Sequence, residues 1–120
     1  MSDWVTDYYD DVDNMRLEPY LEHHTDDAVV TFGNNPPAVG KEAIRAAIGG
    51  FFSTIGGLKH TFVHSYTDGD TTYLELSIDY TRKDGGIVTV PAASVLHRRG
   101  DLVDALRIYI DVAPIYAPAE

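Results

Sequence analysis

Hydrophobicity alternates with a period of two through most of the C-terminal half of the chain, beginning at Leu58. Three turn sequences interrupt the alternation: DGD at 68–70, KDGG at 83–86 and RRGD at 98–101. Short Gly-containing segments between alternating runs are typical of β-hairpins. The pattern therefore predicts a strongly antiparallel meander.

The N-terminal half has helical spacing instead. An amphipathic helix is predicted over residues 3–13, where the apolar positions are Trp4, Val5, Tyr8, Tyr9 and Val12. A second, short helix is predicted around Leu17 and Leu21, and a third over about 41–54, stopped by Gly56. Helices followed by an antiparallel meander predict an α+β fold, with a bent sheet folded over the helices.

Length and composition bound what the chain can be. With 120 residues, of which 44% are hydrophobic, it can bury one core and is too short for two ordinary domains, so we expect a single domain over 1–120. A net charge of −10 argues against binding to phosphate backbones and anionic lipids, so neither nucleic acid nor a membrane is an expected partner. The absence of cysteine excludes thiolate chemistry and disulfides. The N-terminus lacks the features of a signal peptide, and a cytoplasmic protein is expected.

The segment HTDDAVVTFGNNPPAVGKEAIR at 24–45 carries a family resemblance. It joins an acidic turn, a short strand at 29–32, a Pro-rich loop and a helix start. With ALRIYIDVAPIYA at 105–117 as a last strand, this order resembles the nuclear transport factor 2-like superfamily. Within it, the chain looks most like the SnoaL-like branch, which is related to polyketide cyclases, ketosteroid isomerases and scytalone dehydratases. The resemblance implies a cone-shaped α+β barrel, with three N-terminal helices packed on a strongly bent antiparallel sheet that encloses a pocket.

The resemblance also implies which strand positions point into the pocket. In similar proteins these positions correspond to Ser77 and Asp79 on one strand and to Leu106 and Ile108 on the last strand. Strand alternation alone does not select the inner face. The assignment of one side of each strand to the pocket therefore comes from the resemblance.

Three residues are candidates for chemistry. His60 matches a catalytic histidine of scytalone dehydratase-like members, and Tyr8 matches the oxyanion-hole tyrosine of ketosteroid isomerase-like members. With Asp79, these groups would suit proton abstraction beside a carbonyl. His60 would be the base, Asp79 its orienting partner or an acid, and Tyr8 the donor to a developing oxyanion.

Each candidate also has a structural interpretation. His60 could be a polar lining residue, and Asp79 could be a strand-end carboxylate paired with Arg82 or Lys83. Tyr8 could be a core aromatic residue with a locally bonded hydroxyl. The activities of ketosteroid isomerases are not expected, because Phe32 occupies the position of their general base.

The sequence therefore supports two hypotheses. The first is a small-molecule enzyme without a cofactor, a dehydratase, isomerase or cyclase acting on a hydrophobic cyclic or polyketide-like substrate. The residues expected to bind this substrate are Trp4, Phe32, Phe62, Ser77, Leu106 and Ile108. The second is a non-catalytic ligand-binding or dimerisation module. A homodimer is expected through the face that contains Arg107 and Tyr109, and no metal site is expected, since the histidines and aspartates of 23–27 match no ligand spacing.

Overall fold

The computed structural model describes residues 3–117. Over these residues the elements are α1 (Asp3–Asp13), α2 (Leu17–Glu22), β1 (His24–Phe32), β2 (Ala38–Val39), α3 (Lys41–Phe52), β3 (Gly57–Asp68), β4 (Thr71–Thr81), β5 (Ile87–Arg99), β6 (Leu102–Ile110) and α4 (Ala113–Tyr116). The strand order is β2-β1-β6-β5-β4-β3 in one curled, open sheet. The helices α1, α2 and α3 pack on its inner face, which confirms the predicted α+β class and cone-like architecture.

The three N-terminal helices lie close to their predicted positions. Helix α1 buries Val5, Tyr8 and Tyr9, as the helical spacing predicts. Helix α3 ends at Phe52, two residues before the predicted boundary. The hydroxyl of Ser53 donates to the carbonyl of Gly50 (2.6 Å), which satisfies a backbone acceptor of the last turn. Within residues 3–117, no helix has both the length and the apolar composition that crossing a bilayer requires.

The meander is confirmed in full. Strands β3, β4, β5 and β6 pair antiparallel in sequence order, and the three turn sequences connect them. Gly69, Gly85 and Gly100 have positive φ angles of 59°, 90° and 65° in these turns. Residues with a side chain rarely have a positive φ angle, whereas glycine adopts it readily. Glycine at the three positions therefore explains why the sequence indicated the turns so clearly.

Strand β1 differs from the prediction in length and in pairing. It begins at His24, so the stretch expected to be an acidic turn is part of the strand. It pairs parallel with β6, with Val29 opposite Ala105, whereas the sequence pattern indicated only antiparallel pairs. The segment expected to be only loop contains β2, whose Val39 pairs with Val29.

The last strand is shorter than predicted. It ends at Ile110, and residues expected to continue it form α4. The carboxylate of Asp111 accepts a hydrogen bond from the backbone N–H of Ala113 (3.0 Å), and Pro114 has no N–H to offer a neighbouring strand. These two features turn the chain away from the sheet.

The inner face of β4 is apolar, so the side of this strand that was predicted to face the pocket is the wrong one. Leu74, Leu76, Ile78 and Tyr80 are each at most 2% exposed, so these residues pack against the helices. Ser77 and Asp79 alternate with them and therefore point to the outer face, so their predicted inward orientation is wrong. A bulge in β3 between Phe62 and His64 places His64 on the exposed side, although the alternation grouped it with His60.

Candidate functional site

A small cavity lies between the helices and the inner face of the sheet. Its volume is about 40 Å³, and we call it the inner cavity. It is lined by Tyr8, Tyr9, Val12, Tyr20, Phe32, Ile48, Phe51, Phe52, Leu58, His60, Ile78, Tyr80, Ser94, Leu106 and Ile108. Most of this lining is aromatic or aliphatic, so the few polar groups define what chemistry is available there.

The carboxylate of Asp13, at the end of α1, holds His60 of β3. Asp13 Oδ1 lies 2.6 Å from Nδ1 of His60, and the backbone N–H of His60 donates to the same carboxylate at 3.0 Å. An ionised carboxylate only accepts hydrogen bonds, so Nδ1 of His60 carries the proton and donates it. Nε2 is then the basic nitrogen, and it has no hydrogen-bond partner among residues 4–117.

The geometry of this pair suits a general base. The side chain of His60 is 7% exposed and that of Asp13 is 22% exposed. The double hydrogen bond from one residue to one carboxylate fixes the ring orientation and the tautomer, as second partners of catalytic histidines do. His60 lines the inner cavity, and its carboxylate partner is Asp13 rather than Asp79, the partner expected from the sequence.

Asp13 was missed, although the sequence carried a signal for it. Val5, Tyr9 and Asp13 follow one another at intervals of four on α1, so the carboxylate lies on the buried stripe of the helix. A charged residue on such a stripe requires a partner inside the fold. The identity of that partner depended on how α1 packs against β3, which local spacing does not specify.

Tyr9 and Ser94 add two hydroxyl groups to the lining of the inner cavity. The ring of Tyr9 lies 4.8 Å from the imidazole of His60, centroid to centroid. Burial raises the pKa of the Tyr9 phenol above its ordinary range, so the phenol stays protonated and able to donate. Ser94 is 3% exposed and is a polar member of the inward-facing set on β5. Neither residue was selected from the sequence.

Tyr8 takes part in a buried hydrogen-bonded ring with His24 and Tyr20. Its hydroxyl is 2.9 Å from Nε2 of His24, while Nδ1 of His24 is 2.9 Å from the carbonyl of Tyr20. The hydroxyls of Tyr8 and Tyr20 are 3.1 Å apart. Burial lowers the pKa of His24 to about 4, so this imidazole is neutral near pH 7.

The neutral state of His24 fixes the donors in this ring. Nδ1 of His24 donates to the carbonyl, which can only accept, so Nε2 accepts the proton of the Tyr8 hydroxyl. The ring of Tyr8 lines the inner cavity, but its proton is committed to His24. This contact corresponds to the structural interpretation of Tyr8, a core aromatic with a locally bonded hydroxyl.

Asp79 lies on the opposite side of the sheet from His60. It is exposed, and its carboxylate accepts a hydrogen bond from the Thr89 hydroxyl at 2.6 Å. The expected pairing with Arg82 is also absent among residues 4–117, since Arg82 contacts Asp84 at 3.3 Å. Asp79 therefore cannot orient His60 or reach a ligand in the inner cavity.

The expected substrate-binding residues divide into two groups. Phe32, Leu106 and Ile108 line the inner cavity, as predicted. Trp4, Phe62 and Ser77 do not. Trp4 packs edge-on against Tyr8 at 6.3 Å and Phe62 packs edge-on against Tyr9 at 5.3 Å, so each contacts a lining tyrosine rather than the cavity.

A family model for the SnoaL-like domain matches residues 5–105, and the chain belongs to this family. This confirms the resemblance drawn from the 24–45 segment. No curated protein sequence matches the chain.

Solved structures share the fold at low sequence identity. A hypothetical protein with a ketosteroid isomerase-like fold from Catenulispora acidiphila, in complex with trimethylamine, has a TM-score of 0.85 at 17% identity, covering 96% of this chain and 90% of that one. TerC, co-crystallised with polyporic acid, has a TM-score of 0.81 at 13% identity, with coverages of 94% and 92%. A protein from Jannaschia provisionally designated a SnoaL-like polyketide cyclase has a TM-score of 0.73 at 18% identity, with coverages of 86% and 80%. These structures are similar in fold to this chain.

Proposed function

We propose that this protein is a small-molecule enzyme that moves a proton on a hydrophobic cyclic or polyketide-like substrate, with His60 as the base and Asp13 as its positioning partner. The observation that carries the proposal is the Asp13–His60 contact, which places a carboxylate-bound histidine in the lining of a mostly apolar cavity. Isomerisation, dehydration and ring closure all begin with such a step, so the reaction class is a lyase, isomerase or cyclase.

The proposed step is removal of a proton from a carbon beside a carbonyl. Nε2 of His60 takes the proton, and the electron pair of the broken C–H bond passes to the carbonyl oxygen, giving an enolate and an imidazolium. Asp13 stabilises the imidazolium because its carboxylate is already hydrogen-bonded to Nδ1. Tyr9 and Ser94, which line the same cavity, would donate hydrogen bonds to the enolate oxygen.

The test is deuterium exchange into β-tetralone, an uncharged cyclic ketone, in D₂O. Reprotonation of the enolate by a deuterated imidazolium puts solvent deuterium on the carbon, and proton NMR measures its rate. We expect His60→Gln to lose about 10²–10⁴ of the protein-catalysed rate. The matched control is His64→Gln, because His64 is also 2.8 Å from a carboxylate, that of Glu75, but on the exposed face. Equal rates for wild type and His60→Gln would refute the proposal.

A second candidate is a binding module without turnover. The observation that favours it is the small volume of the inner cavity, about 40 Å³, which holds about one water molecule. In this case β-tetralone would bind saturably, seen as broadening of its NMR lines, with no protein-dependent deuterium exchange. The complexes of fold neighbours with trimethylamine and polyporic acid agree with ligand binding under either candidate.

We also propose a homodimer through the outer face of the sheet. Tyr66, Tyr73 and Tyr109 are 65%, 47% and 57% exposed there, and cross-strand pairing puts Tyr73 opposite Tyr66. Arg107 lies on the same face. Exposed aromatic and arginine side chains on one face are enriched at protein interfaces. The occupant that we infer is the same face of a second copy, as two-fold symmetry allows.

A further inference from the structure

A second cavity adjoins the inner one. Its volume is about 320 Å³, and it lies between β1, α3 and the segment that contains α4; we call it the outer cavity. Phe32, Ile48 and Phe51 line both cavities. The rings of Phe32 and Phe51 are 4.9 Å apart between centroids and are inclined by 46°. These two rings are therefore part of the partition between the inner and outer cavities.

The two cavities differ in the size of molecule that they can hold. About 40 Å³ accommodates about one water molecule, whereas pockets of about 300–1,000 Å³ typically hold small organic ligands. A ring-sized substrate therefore does not fit wholly beside His60. The outer cavity has the space that such a molecule needs.

The partition is built from side chains that can move. Phe32 and Phe51 are only partly buried, and Phe32 is the last residue of β1, immediately before Gly33. Rotation of a partly exposed ring does not require opening of the buried core, and side-chain rotamers interconvert quickly on the time scale of binding. Rotation of either ring would change the partition between the inner and outer cavities.

We propose that the outer cavity binds the ring system of the substrate, and that Phe32 and Phe51 form the gate through which its reacting end reaches His60. This inference rests on the proposed function. It assigns the body of the substrate to the outer cavity, between α3 and the segment that contains α4, and only the reacting atoms to the inner cavity.

The lining of the outer cavity defines the class of ligand. None of its lining residues within the described part of the chain is charged. In its lining, the Thr54 hydroxyl donates its one proton to the carbonyl of Phe51 at 2.7 Å. In the 2.8 Å contact between the hydroxyls of Thr54 and Tyr116, the phenol of Tyr116 is therefore the donor. The oxygen of Tyr116 is then able to accept a hydrogen bond. The ligand class is an uncharged ring compound with a hydroxyl group.

Gly50 offers a direct test of the outer cavity. It lines this cavity but not the inner one, and a Cβ added there meets no atom within 4 Å. Gly50→Phe should therefore fill the outer cavity without disturbing the backbone. Gly50→Ala is the matched control, since it makes the same backbone change with little added volume. Ala47→Phe, one turn earlier on the same lining, serves as a second variant if Gly50→Phe does not fold.

The probe is β-naphthol, an uncharged fluorescent two-ring phenol, titrated with the full chain. We expect Gly50→Phe or Ala47→Phe to weaken binding by at least about tenfold and Gly50→Ala by no more than about twofold, because a filled pocket excludes the ring. The methyl ether of β-naphthol lacks the hydroxyl donor and should bind several-fold more weakly. Unchanged binding in both phenylalanine variants, or no binding to wild type at millimolar probe, would overturn the proposal.

NMR distinguishes binding in the outer cavity from passage of the ligand between Phe32 and Phe51 to His60. In wild type, β-naphthol should shift both the Thr54 amide and the His60 imidazole resonances. In Phe51→Trp, where the larger ring narrows the passage, we expect the Thr54 shift to remain and the His60 shift to disappear. A His60 shift in Gly50→Phe as large as in wild type would overturn the route. These readouts measure binding, whereas deuterium exchange measures the proposed reaction, so the two proposals are tested separately. Normal deuterium exchange in wild type, together with unchanged β-naphthol binding in Gly50→Phe, would refute this inference and leave the proposed function standing.

Discussion

The carboxylate of Asp13 accepts hydrogen bonds from both the backbone N–H and the imidazole Nδ1 of His60, at 3.0 Å and 2.6 Å. The contact ties the end of α1 to β3 and at the same time presents Nε2 as the free basic nitrogen. A structural role and a chemical role are therefore combined in one carboxylate. Substitutions at Asp13 separate them.

Asp13→Asn keeps the size of the side chain and removes its negative charge. An amide can still accept from the backbone N–H of His60, but it stabilises an imidazolium far less. We expect kcat for deuterium exchange to fall by about tenfold or more while KM changes little, since the loss is specific to the charged state. The matched control is Glu75→Gln in the exposed His64 pair. A fall in kcat that is fully explained by a smaller folded fraction would assign Asp13 a structural role alone.

Tyr8→Phe removes the hydroxyl that donates to Nε2 of His24. The buried acceptor on His24 is then left unpaired, which costs about 1–3 kcal/mol of stability. Urea denaturation followed by circular dichroism measures this loss. Val39→Ala, on the exposed strand β2, is the control and should change stability by less than about 0.5 kcal/mol. A Tyr8→Phe variant with native stability but no exchange activity would restore the role predicted from the sequence.

The stability of the protein should fall in mildly acidic solution because of His24. Burial lowers its pKa from 6.5 to about 4 in the folded protein. Between these values the unfolded chain binds a proton that the folded chain does not, so this contribution is complete above pH 6.5 and is lost as the pH falls towards 4. The shift corresponds to about 3 kcal/mol. Denaturation of wild type and His24→Gln across this range measures the difference, and parallel pH profiles would contradict the assignment.

Asp79→Asn should leave deuterium exchange unchanged. The carboxylate is on the outer face and contacts the Thr89 hydroxyl there, on the opposite side of the sheet from the inner cavity. Stability should change by no more than about 0.5 kcal/mol, as is usual for exposed substitutions. Loss of exchange in this variant, with a native fold, would return Asp79 to the catalytic set.

Tyr73→Glu should disrupt the proposed dimer. A charge on the outer face would have to be buried against its own copy in the dimer, which is unfavourable. We expect sedimentation to give a dimer for wild type at micromolar concentration and a monomer for the variant. Val39→Glu, at the exposed strand β2 on the other edge of the sheet, is the control and should remain dimeric. A wild-type monomer under these conditions would refute the dimer.

Local signals in the sequence were sufficient for most of the fold. The glycines of the three hairpins and the apolar spacing of α1 depend only on neighbouring residues, and both were confirmed. The parallel pairing of Val29 with Ala105 was missed, because nothing in either segment specifies a partner so distant in the chain. Periodicity indicates that a strand exists, but its pairing depends on packing of the whole chain.

The site was predictable only in part for the same reason. His60 was placed at the cavity, but the phase of β4 was taken from the family rather than from its apolar positions, and this put Asp79 on the wrong face. The buried set Leu74, Leu76 and Ile78 carried the correct phase. Asp13 depended on the docking of α1 against β3, which only the folded structure defines.

The pairing of β1 with β6 determines the order in which the sheet can be completed. As the chain leaves the ribosome, β1 is made early, and until β6 is made its pairing in this sheet is limited to the two-residue strand β2. The meander β3–β6 needs only contacts between successive hairpins, so it can form as each turn appears. Addition of β1 closes a loop of most of the chain, and this non-local step should limit the folding rate. Until it occurs, the unpaired edge of β1 is open to association with other chains.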